Sequence, residues 1–285
     1  MRQRQDEVAC EVAIIGAGLA GLMAARTLVA EGKDVLVLEA QNRVGGRTLN
    51  HALGEGKDLE LGGQWLGPTQ EKMYSLCKEL GLETYPTYTR GEQIVSLNGR
   101  TFRLKAGENA LSALPSEVAL EVSQVLEQLE AMSQSLDLEA PQCHAQALEW
   151  DNETFEGWLE AHTQHTETRD YLQLELKGLF AAEASDVSLL HVLFTLKSGG
   201  GFYNLINVTN GAQQDRIVGG SQRIAEAMAE ALGERVILST PVQRLEQTET
   251  HVHIIADNLT VTAEQVIVTL PPNLANRLDY KPALP

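Results

Sequence analysis

Between Val12 and Thr48 the sequence runs VAIIGAGLAGLMAARTLVAEGKDVLVLEAQNRVGGRT, and no other stretch restricts the fold as much. Residues 12–15 form a short apolar run, mostly β-branched, as a buried parallel strand requires. Gly16, Gly18 and Gly21 follow in G-x-G-x-x-G spacing, with Ala17 and Leu19 in the same turn. The first glycine permits the tight turn, the second lets a pyrophosphate approach the backbone, and the third lets helix and strand pack closely. Residues 19–31 are rich in Ala and Leu and stop at Gly32, a residue suited to end a helix. The start of that helix offers N–H groups and the positive end of its dipole to an anion. A second buried strand, Val35–Leu38, ends in Glu39. That places a carboxylate roughly 20 residues beyond the glycines, where it can accept from a ribose hydroxyl. Strand, glycine turn, helix, strand and acid in this order predict a dinucleotide-binding βαβ unit.

The next residues are Arg43, Val44, Gly45, Gly46, Arg47 and Thr48. Two glycines allow a turn whose N–H groups face an anion, and two guanidiniums can pair with phosphate. The 285 residues suggest about two domains. With 39 acidic against 22 basic residues the formal charge is −17, which argues against nucleic acid or an anionic membrane as partner. Cys10, Cys77 and Cys143 are an odd set without C-x-x-C, so no disulfide framework is indicated. The first residues, MRQRQDEVACEV, contain no apolar signal core, and no run approaches the ~20 apolar residues of a membrane span. A soluble cytoplasmic protein is the expectation.

Further along, DLELGGQWLGPTQ carries Gly62, Gly63 and Trp65, which reads as backbone passing close to something large and flat, or as a turn with a packed Trp. A helix is expected from Pro68 or Thr69 to Gly81, with Cys77 in its core face. Residues 92–97 and 100–105 flank Asn98-Gly99, the pattern of a hairpin with a type I′ turn. Val118, Val122, Val125, Leu129 and Met132 share one helical face. Residues 140–150 read as a loop, Thr154 as a helix N-cap, and helices are expected at about 166–182 and 186–197. Ser221 reads as the N-cap of a helix ending at Gly233. Strands are expected at 235–238, 242–246, 251–256 and 265–270, the last stopped by Pro271-Pro272. His162 and His165 read as a polar helix face. His251 and His253 share a strand face, and no metal site is expected. No Ser/His/Asp or Cys/His motif singles out a catalytic side chain.

The motifs GAGLAG…E, RVGGRT, LGGQWLGPTQ and NGAQQDRIVGGSQ together resemble the flavin-containing amine oxidase family, monoamine oxidases included, over roughly residues 12–285. The resemblance implies an α/β fold. A Rossmann-like FAD-binding domain, parallel sheet plus β-meander, carries an inserted, mainly helical α+β substrate domain. The expected borders are 1–81 and 216–285 for FAD binding and 82–215 for substrate. It implies FAD held by Gly16, Ala17, Gly18, Leu19, Gly21, Glu39, Arg43, Gly46 and Arg47. Gly62, Gly63 and Trp65 would lie along the flavin, and the backbone of Val242 near the adenine. The T-N-G-x-Q segment borders the family's substrate cavity, making Leu205, Ile206 and Gln213 substrate-contact candidates; core aliphatics and a surface amide is the alternative. The implied partners are a small amine and dioxygen, with no nucleic acid and no membrane span; a homodimer is open to it.

Family members continue into a C-terminal third with a G-Y-x-x-G-A-like segment, an aromatic cage and a lysine near the flavin. None of these appears before the chain stops at KPALP, so a C-terminally truncated chain is the expectation. An L-amino-acid oxidase, with Arg90 or Arg103 gripping a carboxylate, a desaturase-type flavoenzyme and a non-catalytic FAD-binding module stand as alternatives.

Overall fold

A computed structural model describes residues 6–55, 57–97, 99–105, 110–257 and 259–284. The chain divides into two compact units. One comprises Met1–Trp65, Lys72–Tyr85 and Arg216–Pro285; the other comprises Leu66–Glu71 and Pro86–Asp215. Against the expected borders, residues 66–71 group with the second unit and residues 82–85 with the first.

The first unit is built on a seven-stranded sheet. Strand β1, Asp6–Ile15, is ten residues long, against the four read from the apolar run. Helix α1, Leu19–Ala30, and strand β2, Val35–Leu38, follow as expected. β1 pairs in parallel with β2 on one side and with the strand Leu259–Val268 on the other. The sheet order is Val236–Ile237, β2, β1, Leu259–Val268, Val252–Ala256, Val242–Gln247 and Asp279–Lys281. The strand expected at 265–270 is therefore the second half of a longer one. Its first half turns antiparallel onto Val252–Ala256 and opens the meander. Ala13, Ile15, Leu36, Leu38, Ile254, Val261 and Ala263 close one core cluster. α1 packs against the helix Gln222–Leu232, burying Leu22, Ile224 and Met228. Each such side chain is worth about 1.5–3 kcal/mol, so the N-terminus of α1 rests on a rigid base. The helix expected from Pro68 or Thr69 to Gly81 runs Glu71–Glu79, Thr69 being held at φ +76°, and Cys77 is buried in it.

The second unit is mainly helical: Ser116–Gln134, Ala147–Asn152, Phe155–His162, Thr166–Phe180, Leu189–Ser198 and Phe202–Ile206. Its hairpin pairs Glu92–Leu97 with Arg100–Lys105, from Glu92↔Lys105 to Leu97↔Arg100. Asn98, half of the expected turn, lies outside the described residues. Arg103 forms a cross-strand ion pair with Glu92 at 3.1 Å. The stretch read as a loop at 140–150 holds a 3-10 turn and the start of a helix, anchored by buried Trp150. Six helical residues are too few to show a period, and one aromatic supplies the hold. Thr154 caps the next helix, accepting from Gly157 N at 3.1 Å. His162 is exposed at the end of its helix, and His165 is the N-cap of the next. His162 stacks on Trp158 at 4.4 Å, and His165 Nδ1 lies 3.0 Å from Glu121 Oε2. Among the described residues no group of three or more His, Cys, Asp or Glu could hold a metal ion, and no helix is long and apolar enough to cross a membrane.

Glu121 ties the helices Ser116–Gln134 and Thr166–Phe180 together. Burial pushes its carboxyl up, but hydrogen bonds from Thr168 Oγ1, Gln164 N, His165 N and the His165 ring outweigh this and hold it at about 2, below the ordinary 4.5. The folded state thus binds this proton less tightly than the unfolded one. The stabilisation is complete above about pH 4.5 and is lost as pH falls toward 2. Glu121→Gln is expected to lower the urea midpoint at neutral pH, and the two proteins should converge between those pH values. Parallel curves across that window would remove Glu121 as the cause.

Candidate dinucleotide site

β1 ends at Ile15, and Gly16 turns the chain with φ +109° while donating its N–H to Leu38 O at 2.8 Å. Gly21 must lack a side chain because a Cβ there would lie 2.0 Å from Gly16 O. Gly18 differs. Its backbone (φ −75°, ψ 178°) suits any residue, and a Cβ would find nothing nearer than Gly46 Cα at 4.0 Å. Neither conformation nor packing within the protein calls for glycine, so a close-approaching ligand is the remaining physical reason. Gly18 is also the N-cap of α1, and no side chain caps that helix. An uncapped helix N-terminus beside a glycine with free space above it fits a pyrophosphate.

Glu39 directly follows β2 and is 8% exposed. Its Oε2 accepts from Ala17 N at 2.7 Å and its Oε1 from Gln41 N at 2.8 Å. Two backbone donors hold the carboxylate at the glycine turn, and its further lone pairs can accept from a ribose.

The RVGGRT turn lies alongside the glycine turn: Gly45 N donates to Ala17 O at 2.9 Å, and Gly18 and Gly45 form a bridge. The two arginines are placed differently. Arg43 bends into its own turn and donates to Val44 O (3.3 Å), Thr48 O (3.3 Å) and Gly46 O (3.1 Å). It braces the turn from within. Arg47 is exposed.

Gly62 packs on this turn, where a Cβ would meet Arg47 O at 2.1 Å. Gly63 donates to the same carbonyl at 3.2 Å, and a Cβ on it would meet nothing within 4 Å. Trp65 is 42% exposed. Val242 opens the strand Val242–Gln247, next to a register shift at Val242/Arg244. Leu205, Ile206 and Gln213 belong to the second unit. The first two are partly buried against its core, and Gln213 Nε2 donates to Leu205 O at 3.2 Å.

Ser221 is not the expected side-chain cap. Its φ of −66° and ψ of −22° are already helical; its hydroxyl donates to Gly63 O and its N–H to Glu60 Oε1 at 2.6 Å. Glu60, buried and paired with Arg216, supplies the acceptor at this helix start. Glu60, Gln222 and Asn50 escaped the sequence reading.

The family described as "Flavin containing amine oxidoreductase" matches residues 19–285. The chain is 36% identical over 296 residues to putrescine oxidase of Kocuria rosea, covering 96% of this chain and 59% of that protein. It is 34% identical over 277 residues to the putative flavin-containing monoamine oxidase AofH of Mycobacterium tuberculosis, covering 96% and 60%. A solved putrescine oxidase structure with bound putrescine superposes with a TM-score of 0.89 at 33% identity, over 98% of this chain and 62% of that one. The chain thus spans about 60% of the length of these relatives. The chain belongs to the flavin-containing amine oxidoreductase family, and FAD is the cofactor that this membership implies.

Proposed function

We propose that the protein serves the oxidation of amines to imines, the imine going on to aldehyde and ammonia and dioxygen ending as hydrogen peroxide. The observation that carries this is the uncapped start of α1 at Gly18, set against a braced double-glycine turn, in a chain that matches an amine-oxidising flavin family. Acceptance of two electrons from the amine's α-C–H, and their delivery to dioxygen, is chemistry that bound FAD supplies.

The chain's own residues hold and orient. The α1 N-terminus and Arg47 take the pyrophosphate, Glu39 accepts from the ribose, and Val242 presents backbone toward the adenine. Gly63 and Trp65 offer a flat, open surface to the ring system. In the second unit Leu205 and Ile206 are the apolar groups that would keep water from an amine, which must be neutral to give up its α-hydrogen, and Gln213 contributes an amide contact. Arg103, engaged with Glu92, gives the amino-acid oxidase alternative no support.

The purified protein, reconstituted with FAD, is expected to show flavin absorption bands that bleach when putrescine or benzylamine is added without air. The bands should return on aeration, with hydrogen peroxide formed. Bound flavin that no amine bleaches would overturn the amine reading, and protein that takes up no flavin would overturn the cofactor assignment.

A further inference from the structure

We propose that the V-G-G-S-Q run, residues 218–222, is a clamp that shapes the cofactor-binding turns, with Gln222 as its positioning residue. This rests on the FAD reading above, and it gives the run a task apart from any substrate cavity.

Gln222 is the first residue of its helix, and it is only 6% exposed. Its Nε2 donates to Val44 O at 2.9 Å, and its Oε1 accepts from Asn50 N at 2.7 Å. One planar amide therefore spans both ends of the turn from 44 to 50. A primary amide is suited to this because it offers a donor and an acceptor side by side. A carboxylate offers two acceptors, and leucine offers neither.

The other carbonyls of the turn are held too. Gly45 O accepts from Thr48 Oγ1 at 2.9 Å, while Gly46 O and Thr48 O accept from Arg43. Carbonyls at 44, 45, 46 and 48 are thus all taken by side-chain donors. A carbonyl oxygen left to swing toward a pyrophosphate would repel it, whereas anchored carbonyls leave the N–H edge of a glycine turn for the anion. Gln222 matters to the ligand by fixing both ends of the turn, Asn50 N and Val44 O, the latter shared with Arg43 at 3.3 Å.

The same helix start fixes the second cofactor segment. Ser221 donates its N–H to Glu60 and its hydroxyl to Gly63 O, so residues 60–63 and 44–50 are held by two adjacent residues. Asn50 Nδ2 returns a hydrogen bond to Gly219 O at 2.6 Å. A Cβ on Gly220 would fall 2.3 Å from Asn50 Oδ1, which is why this approach needs glycine.

The test compares the FAD dissociation constant, from flavin fluorescence, of wild type, Gln222→Leu and Gln222→Glu between about pH 8 and about pH 5, with apoprotein melting temperatures alongside. Gln222→Leu is expected to stay folded and bind FAD about tenfold more weakly, the range for losing a partner of a buried polar group. Gln222→Glu should bind worse still at the high end, where its carboxylate faces the Val44 carbonyl. It should recover as pH falls, because the protonated acid again donates to Val44 and accepts from Asn50. Wild type and Gln222→Leu carry the same neighbouring charges, Arg43, Glu60 and Arg216, so they serve as the pH control and should lack that recovery. A merely structural residue would lower the melting temperature without this pH signature. Wild-type affinity in Gln222→Leu, or a pH-independent Gln222→Glu, overturns the clamp alone. Failure of the wild type to bind FAD overturns the clamp and the FAD reading together.

Discussion

Gly18→Val strips FAD from the protein while leaving the apoprotein's fold intact. The two halves of this result come from separate observations. Valine is allowed at φ −75°, ψ 178°, a β-region conformation that branched residues favour, and its Cβ would have 4.0 Å to the nearest protein atom. The loss to stability should stay within about 1 kcal/mol, the cost of a poor residue at a helix N-cap. The pyrophosphate has no such latitude. Two methyl groups would occupy the space above the α1 N-terminus, and the phosphates could no longer reach its N–H groups. FAD affinity should fall at least a hundredfold, about 2.7 kcal/mol, with Gly18→Ala intermediate. Equilibrium dialysis with FAD, beside a thermal melt of the apoprotein, measures both. Flavin content equal to wild type would remove Gly18 from the site. A collapsed melting temperature would show that the glycine serves packing instead.

What was legible in the sequence was local. The Gly16–Gly21 turn, α1, β2 and Glu39 lie within one βαβ unit, where spacing alone brings them together, and each stands where expected. The first half of β1 was not legible. Residues 6–11 mix charges with apolar residues, and only pairing with the strand Leu259–Val268 makes them a strand. The helix Ala147–Asn152 was missed for want of length. That Arg43 turns inward to the carbonyls of its own turn was not legible either, because composition does not say which way a guanidinium points. The clamp is the extreme case: Gln222 acts on partners 172 and 178 residues away in the chain, and nothing periodic or compositional marks that contact. The motif was visible as V-G-G-S-Q, but its geometry requires the fold.

Gly62→Ala is the counterpart to Gly18→Val and should fail on both measurements. Its Cβ would lie 2.1 Å from Arg47 O, 3.0 Å from Arg47 C and 3.3 Å from Leu49 N. All three are backbone atoms, so no side chain can swing aside, and the contact can open only if the turn moves by more than ~1 Å. That movement pulls on Gly63 N→Arg47 O and Leu61 N→Leu49 O, the hydrogen bonds that hold the two segments together. A cost of about 2–3 kcal/mol follows for overpacking a site with so little give, read as a lower urea midpoint of the apoprotein. FAD binding should fall with it, because Arg47 and the double-glycine turn shift together. Gly63→Ala separates the two effects next door. With nothing within 4 Å of its Cβ and no positive φ to hold, the apoprotein should keep its stability. Only the fit of the flavin should change, visible as a shift in its absorption bands or its affinity. Equal stability losses at both positions would mean that the open space at Gly63 is not kept for a ligand.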